Sequence, residues 1–254
     1  MTTGSERAEA PADAVAWHDT ECGGYGADLA LWEDLTGADG PVLELGAGTG
    51  RVALHLARAG REVIAVERDP ELAAELERRA AAAGLSPSVI AADIRELRRE
   101  SVDRAPAQLI APMHVLQTFD REERRQLVEA AASLLDPGGV LALVLIDESH
   151  LAALADDADP VLYPDLREID GWVFSSEPLW VQMTEETIIA RRLRRRVAPG
   201  GELDSTIHEV VLYRTPPDEL ERLGAELGLR VLERRSVETS TIESDSVVVI
   251  LEAP

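Results

Sequence analysis

The sequence predicts an α/β protein built on one doubly wound, largely parallel sheet, with an antiparallel β meander inserted near its end. Three observations carry this. Short apolar runs alternate with helix-patterned runs as far as Ile146, the rhythm of βαβ units buried on both faces. A Gly-x-Gly-x-Gly segment closes the first apolar run. After Asp147, three long β-rich segments succeed one another with no helix between them, which is how a meander reads.

Residues 1–15 are polar or small and are expected to be disordered, leaving 16–254 as a single domain with the meander at about 165–215. A short helical stretch should follow the N-terminus, with Trp17, Tyr25, Leu29, Leu31 and Trp32 on its apolar side. Pro41–Leu45 is the first strand, and Arg51–Ala59 a helix stopped by Gly60. Glu62–Val66 is the second strand. Asp69 stands where an N-cap belongs and Pro70 at the first helical position, opening a helix that ends at Gly84. Ser88–Ala92 and Ala107–Pro112 are the third and fourth strands. Glu122–Leu135 is a helix closed by Asp136-Pro137-Gly138-Gly139, and Val140–Ile146 a wholly apolar fifth strand. Trp172–Gln182, Thr187–Val197 and Glu202–Arg214 form the meander. Pro217–Leu227 is a last helix capped by Gly228, and Arg230–Val237 and Ser246–Leu251 close the chain.

Composition narrows the function. The net charge of −23 over 254 residues repels phosphate backbones and anionic lipid, so neither nucleic acid nor membrane is an expected partner. One cysteine, Cys22, excludes an intrachain disulfide and suits a cytoplasmic setting. The longest apolar run, Val140 to Ile146, falls far short of the roughly 20 residues that span a bilayer. No metal site is expected.

The chemistry concentrates in Glu44-Leu45-Gly46-Ala47-Gly48-Thr49-Gly50-Arg51. Glycines after a parallel strand let the backbone turn tightly beside a ligand, and the next helix offers free N–H groups to it. Alone this means only a nucleotide-like ligand. Two details sharpen it. Arg51 fills the sixth position, where the dinucleotide fingerprint has glycine or alanine. Glu44 suits a sulfonium or ammonium group better than a pyrophosphate. Glu67 ends the second strand, 17 residues beyond Gly50, where a carboxylate can accept both ribose hydroxyls. Asp93 follows the third strand, where it can accept from an adenine amine while Ile94 packs on the ring.

On these residues, and on Leu135–Gly139 as its Leu-x-Pro-Gly-Gly turn, the chain resembles the class I S-adenosylmethionine-dependent methyltransferases of small-molecule type, a Rossmann-like family. The likeness covers about residues 17 to 147. It implies S-adenosyl-L-methionine as cofactor, held by Tyr25, Glu44, Gly46, Ala47, Gly48, Gly50, Glu67, Arg68, Asp93, Ile94, Pro112 and Met113. It also implies a small-molecule acceptor beside the stretch Ala111 to Phe119. The Asp/Asn-Pro-Pro-Tyr/Phe pattern of enzymes that methylate nucleic-acid or protein nitrogens is absent there.

Methyl transfer from a sulfonium mainly needs alignment, and a base only if the acceptor arrives protonated. His114, at the fourth strand's end, is the first candidate base, and equally a pocket wall. His208 in the meander is the second, its direction set by register. His18 is expected to fold over the cofactor with Tyr25, and His55 and His150 to lie on the surface. Arg51 either pairs with a carboxylate or faces solvent. Arg191 to Arg196 is expected to be a solvated face paired with Glu185, Glu186, Glu202, Asp204 and Glu209. The meander also offers a homodimer surface. The acceptor atom (O, N or C) stays open. The competing readings are an NAD-dependent oxidoreductase, a catalytically silent cofactor-binding scaffold, and an aminopropyl-transferring relative.

Overall fold

The computed structural model describes residues 12–37, 40–149, 151, 163–238 and 245–254. Its centre is a seven-stranded sheet ordered β10-β11-β5-β4-β1-β2-β3. The first five strands are β1 (Val42–Leu45), β2 (Val63–Glu67), β3 (Ser88–Ala91), β4 (Gln108–Ala111) and β5 (Val140–Ile146); β10 (Arg230–Val237) and β11 (Ser246–Glu252) follow the meander. β1 pairs in parallel with β2 on one side and β4 on the other, so the chain reverses its winding between β1 and β4. In such sheets the crevice outside the carboxyl ends at that reversal is where ligands bind. β11 runs antiparallel between β5 and β10.

Side chains alternate across the sheet. Leu43, Leu45, Leu109 and Leu143 pack in one apolar layer with Leu127, Val128 and Leu134 of α5 (Arg121–Leu134) and Leu220 of α6 (Pro217–Glu226). Val42, Ala65, Ile110 and Ala142 pack in the opposite layer with Trp32 of α2 (Leu29–Leu35), Val52 and Leu56 of α3 (Arg51–Arg58), and Leu76 of α4 (Pro70–Ala82). By this alternation Glu44 belongs to the second layer, with Val42. The expected caps form: Asp69 accepts from the amides of Glu71 and Leu72 at the start of α4, and Asp120 and Glu123 make a reciprocal capping box on α5.

The meander is a separate four-stranded antiparallel sheet: β6 (Asp165–Ile169), β7 (Trp172–Met183), β8 (Thr187–Val197) and β9 (Leu203–Tyr213). β6 carries alternating charges that hide it as a strand in the sequence; it forms because β7 supplies its partner.

Two expectations at the N-terminus are corrected. The single helical stretch is two helices, α1 (Asp13–Glu21) and α2, separated around Gly23, Gly24 and Gly26. Residues 13–15, expected to be disordered, are the first turn of α1, which tertiary contacts hold. Trp17 meets Phe174 of β7 edge to face at 5.1 Å, and Arg196 Nη1 donates to Asp13 at 2.7 Å. Residues 1–11 lie outside the described residues, as does His150. Among the described residues no helix is long and apolar enough to cross a membrane.

Candidate active site

The turn after β1 is built around one carboxylate. Gly48 N–H donates to Glu67 Oε2 at 2.8 Å, and Asp69 N–H donates to Glu67 Oε1 at 2.8 Å. Glu67 thus ties the glycine loop to the end of β2 and still has lone pairs for further donors. Gly46 and Gly48 have φ of 68° and 56°, where a Cβ is strained. A Cβ on Gly48 would also fall 2.1 Å from His18 Nε2, and one on Gly46 would fall 2.7 Å from Val115. Ala47 is buried beside them.

Glu44 is 2% exposed, and its Oε2 has no hydrogen-bond partner among the described residues. Burial pushes its pKa up to about 8, against the pull of Arg51. A buried carboxylate oxygen without a donor is costly, and a ligand carrying a positive charge relieves that cost. This orphan, with Glu67 alongside, fits an adenosyl sulfonium.

Asp93 ends β3 as expected, but its carboxylate is already engaged. It accepts from the Arg95 amide at 2.9 Å and pairs with the Arg95 guanidinium at 2.8 Å, which holds its pKa below the usual carboxylate range. Ile94 is not an open platform: the tight turn Ile94–Glu96 rolls it into the apolar layer, 7% exposed. Arg68 is exposed at the end of β2, and Pro112 is buried at the end of β4.

The N-terminal segment closes over this loop. Arg51, left ambiguous by the sequence, makes a bidentate pair with Asp28 at 2.5 and 2.8 Å and donates to the Tyr25 carbonyl at 3.1 Å. Its guanidinium lies over the Tyr25 ring. Burial works against that charge, yet the bond to Asp28 outweighs it and raises the pKa. Trp32 Nε1 donates to the same Asp28 at 2.8 Å. On α1, His18 sits against Gly48 with its Nδ1 3.3 Å from Thr49 Oγ1, and burial lowers its pKa. Asp19 accepts from Thr49 Oγ1 at 2.8 Å and pairs with Arg79 of α4.

Beside the loop, a cavity of about 160 Å³ is bounded by Tyr25, Asp28, Met113, His114, Asp165 and Arg192, with Glu21 and Ser246 also on its wall. Met113 and His114, just beyond β4, have φ of 52° and 59°. Two successive non-glycine residues in the left-handed region are a strained turn, of the sort retained at functional sites. His114 Nε2 lies 2.9 Å from Ser246 Oγ at the start of β11, and burial lowers its pKa to about 4. It is therefore neutral at physiological pH and a weak proton acceptor.

Pairing opposite Arg192 places His208 on the inner face of the meander, but His208 is not among the residues that bound the cavity. Burial, with Arg194 and Arg192 nearby, lowers its pKa. The arginine run splits by strand alternation. Arg191 and Arg195 face outward to Glu209 and Glu177, as a solvated pairing predicts. The inward members correct that expectation, because β8 lies across α1. Arg194 clasps Glu21 at 2.6 Å and covers the Trp17 ring, and Arg192 pairs with Asp165. His55 is only half-exposed, its Nε2 2.6 Å from Glu33.

Glu21, Asp28, Asp165, Arg192 and Ser246 were missed as site residues. Each lies in a different element from the glycine loop, and Ser246 is 132 residues from His114. The one available signal was a carboxylate within reach of Arg51 in the N-terminal segment. Among the described residues no cluster of histidine, cysteine and carboxylate side chains is arranged for a metal ion.

Comparison with known proteins agrees with this geometry. Residues 42–139 match the family described as a methyltransferase domain. The sugar N-methyltransferase KedS8 from Streptoalloteichus superposes with a TM-score of 0.72 at 18% identity, covering 100% of this chain and 99% of that one. The CcbJ methyltransferase from Streptomyces caelestis superposes at 0.67 with 24% identity, covering 97% and 100%. CalS10, an amino pentose methyltransferase from Micromonospora echinaspora, superposes at 0.68 with 18% identity, covering 95% and 98%. No curated protein matches the chain by sequence. A glycine loop after β1, an acid ending β2 and the reversal between β1 and β4 lie within the segment that matches a methyltransferase domain, on a fold that the chain shares with S-adenosylmethionine-dependent methyltransferases.

Proposed function

We propose that the protein transfers the methyl group of S-adenosylmethionine to an amine of a small molecule bound in the cavity beside His114. The carrying observation is the wall of that cavity: three carboxylates, Glu21, Asp28 and Asp165, line it with one cation, Arg192, while Arg194 and Arg51 pair with Glu21 and Asp28 from outside the wall. Such a wall offers carboxylate oxygens as acceptors to an ammonium group. The similar structures named for sugar N-methylation and amino pentose methylation support the same class.

In this reading Glu67 holds the ribose hydroxyls and Glu44 faces the cationic end of the cofactor. Gly46, Ala47, Gly48 and Gly50 give it a close backbone, while Tyr25, Arg68, Pro112 and Met113 border it. Asp93 reaches the adenine amine only by sharing its carboxylate with Arg95. The bound cofactor supplies an already activated methyl group, so the chain's work is alignment and exclusion of water. An amine must lose its proton before attack. Asp165, whose pKa burial raises in spite of Arg192, is assigned as the acceptor for that proton, while neutral His114 with Ser246 shapes the cavity. His208, on the next strand, acts on the acceptor only through Arg192.

Incubation with S-adenosylmethionine and matched panels of amino sugars, simple amines and phenols, followed by mass spectrometry, tests this. Amines should gain one methyl mass with release of S-adenosylhomocysteine. Methylation of phenols alone would overturn the amine assignment, and no methylation of any acceptor by a cofactor-bound protein would favour the scaffold reading.

The outer face of the meander carries exposed Leu166, Leu203, Ile207 and Val211, and β9 is an edge strand of its sheet. We assign this face to a homodimer contact. Light scattering should give twice the chain mass, and one chain mass after Leu203→Asp with Ile207→Asp. A monomeric wild type would refute it.

A further inference from the structure

A second groove, of about 470 Å³, lies between α5 and α6 and shares no wall residue with the acceptor cavity. Arg121, Arg124, Arg125 and Arg222 line it, with Thr215 and the carboxylates Glu122, Glu219 and Glu226. In a chain of net charge −23, four arginines against three carboxylates leave this groove with one net positive charge.

Arg124 is the telling member. It is 3% exposed, and its Nε has no hydrogen-bond partner among the described residues. Among the described residues its ion pair is the long one to Glu219, with 3.5 Å between Nη1 and Oε1, and Asp120 lies within electrostatic reach. Arg51 is also largely buried and Arg79 half-buried, yet Asp28 and Asp19 raise their pKa values. At Arg124 burial prevails over Glu219 and the pKa falls. The other carboxylates are committed elsewhere or turned away: Glu226 accepts from Arg125 at 2.7 Å, and Glu122 from Gln126 at 3.2 Å. Arg121 lies 3.6 Å from Glu219, and Arg222 is exposed. The groove also meets the first turn of α6, which opens on Pro216-Pro217 with no side-chain cap, while Asp218 and Glu219 in that turn already complement the helix dipole.

A buried guanidinium whose Nε has no partner among the described residues is a donor awaiting an acceptor. We propose that the α5–α6 groove binds a phosphoryl-type oxyanion, with Arg124 at its base and Arg121, Arg125 and Arg222 around its mouth. The planar fork of arginine matches two phosphoryl oxygens at once. This site is independent of the methyl-transfer reading.

The test uses inorganic phosphate and adenosine monophosphate as separate probes, by calorimetry at constant ionic strength in chloride. The proteins compared are the wild type, Arg124→Met, Arg121→Ala and Arg222→Ala. Saturable phosphate binding is expected in the wild type, weakened about tenfold or more in Arg124→Met and about threefold in each exposed variant. S-adenosylmethionine affinity should be unchanged throughout. Tighter binding of the nucleotide than of phosphate would identify a phosphorylated metabolite as the source, and equal affinities the free ion. The two exposed variants decide the matter if Arg124→Met fails to fold. No saturable phosphate binding, or equal affinity in the wild type, Arg121→Ala and Arg222→Ala, overturns the proposal.

Discussion

Replacing Glu44 with glutamine should remove a pH-dependent instability set by burial. The folded carboxyl titrates near 8 because it is buried, whereas an unfolded glutamate titrates near 4.3. The unfolded chain therefore releases this proton first. Stability from this group is greatest below the unfolded value and is lost as pH rises towards 8, then levels off above it. At pH 7 the difference amounts to about 4 kcal/mol, an order-of-magnitude figure from the two pKa values. Glu44→Gln keeps the shape and cannot ionise, so all other titrations cancel between the two proteins. Urea unfolding at pH 5, 7 and 8.5 should show the variant gaining on the wild type by about 4 kcal/mol between the first and last pH. Parallel pH profiles would refute the argument, because they would mean that Glu44 is not buried in a raised-pKa state. The same ionisation couples to the cofactor: binding a sulfonium at pH 7 should release close to one proton from the wild type and none from the variant. Calorimetry in buffers of different ionisation heat would read this out.

Other expectations follow from the site. Glu67→Ala removes the acceptor that holds Gly48 and Asp69 and should weaken S-adenosylmethionine binding by roughly 1.5–3 kcal/mol; an unchanged Kd would dismiss that role. Asp28→Asn leaves Arg51 buried with a neutral partner and should cost about 3 kcal/mol of stability, with earlier proteolysis of the N-terminal segment than in wild type; unaltered melting would place the clamp outside the stability of the fold. His114→Ala should raise KM for the acceptor while kcat falls by less than the roughly hundredfold or more expected for a lost general base; a larger fall in kcat with constant KM would restore His114 as the base. Asp165→Asn should shift the acidic limb of the kcat/KM profile, and an unmoved limb would assign the amine proton elsewhere.

Much of the fold was legible because its signals are local. The alternating apolar runs, the Asp69-Pro70 start and the Gly138-Gly139 breaker each act within a few residues, and the expected strand ends fall within a residue or two of those observed. The glycine loop and Glu67 were legible for the same reason: backbone conformation and strand-end position follow from spacing. What stayed hidden depends on contacts distant in sequence. β6 is a strand only because β7 pairs with it, and Asp13–Glu21 is ordered because Glu21, Trp17 and Asp19 find Arg194, Phe174 and Arg79. Asp93 could be placed at a strand end, but its capture by Arg95 could not. The arginine run shows the limit most clearly: alternation was readable, but which alternate face would meet α1 was not.

The most direct test of the central claim is calorimetric titration of the wild-type protein at pH 8 with S-adenosylmethionine and, separately, with NAD. The account expects saturable binding of S-adenosylmethionine at one site per chain and no heat from NAD; binding of NAD with none of S-adenosylmethionine would contradict it.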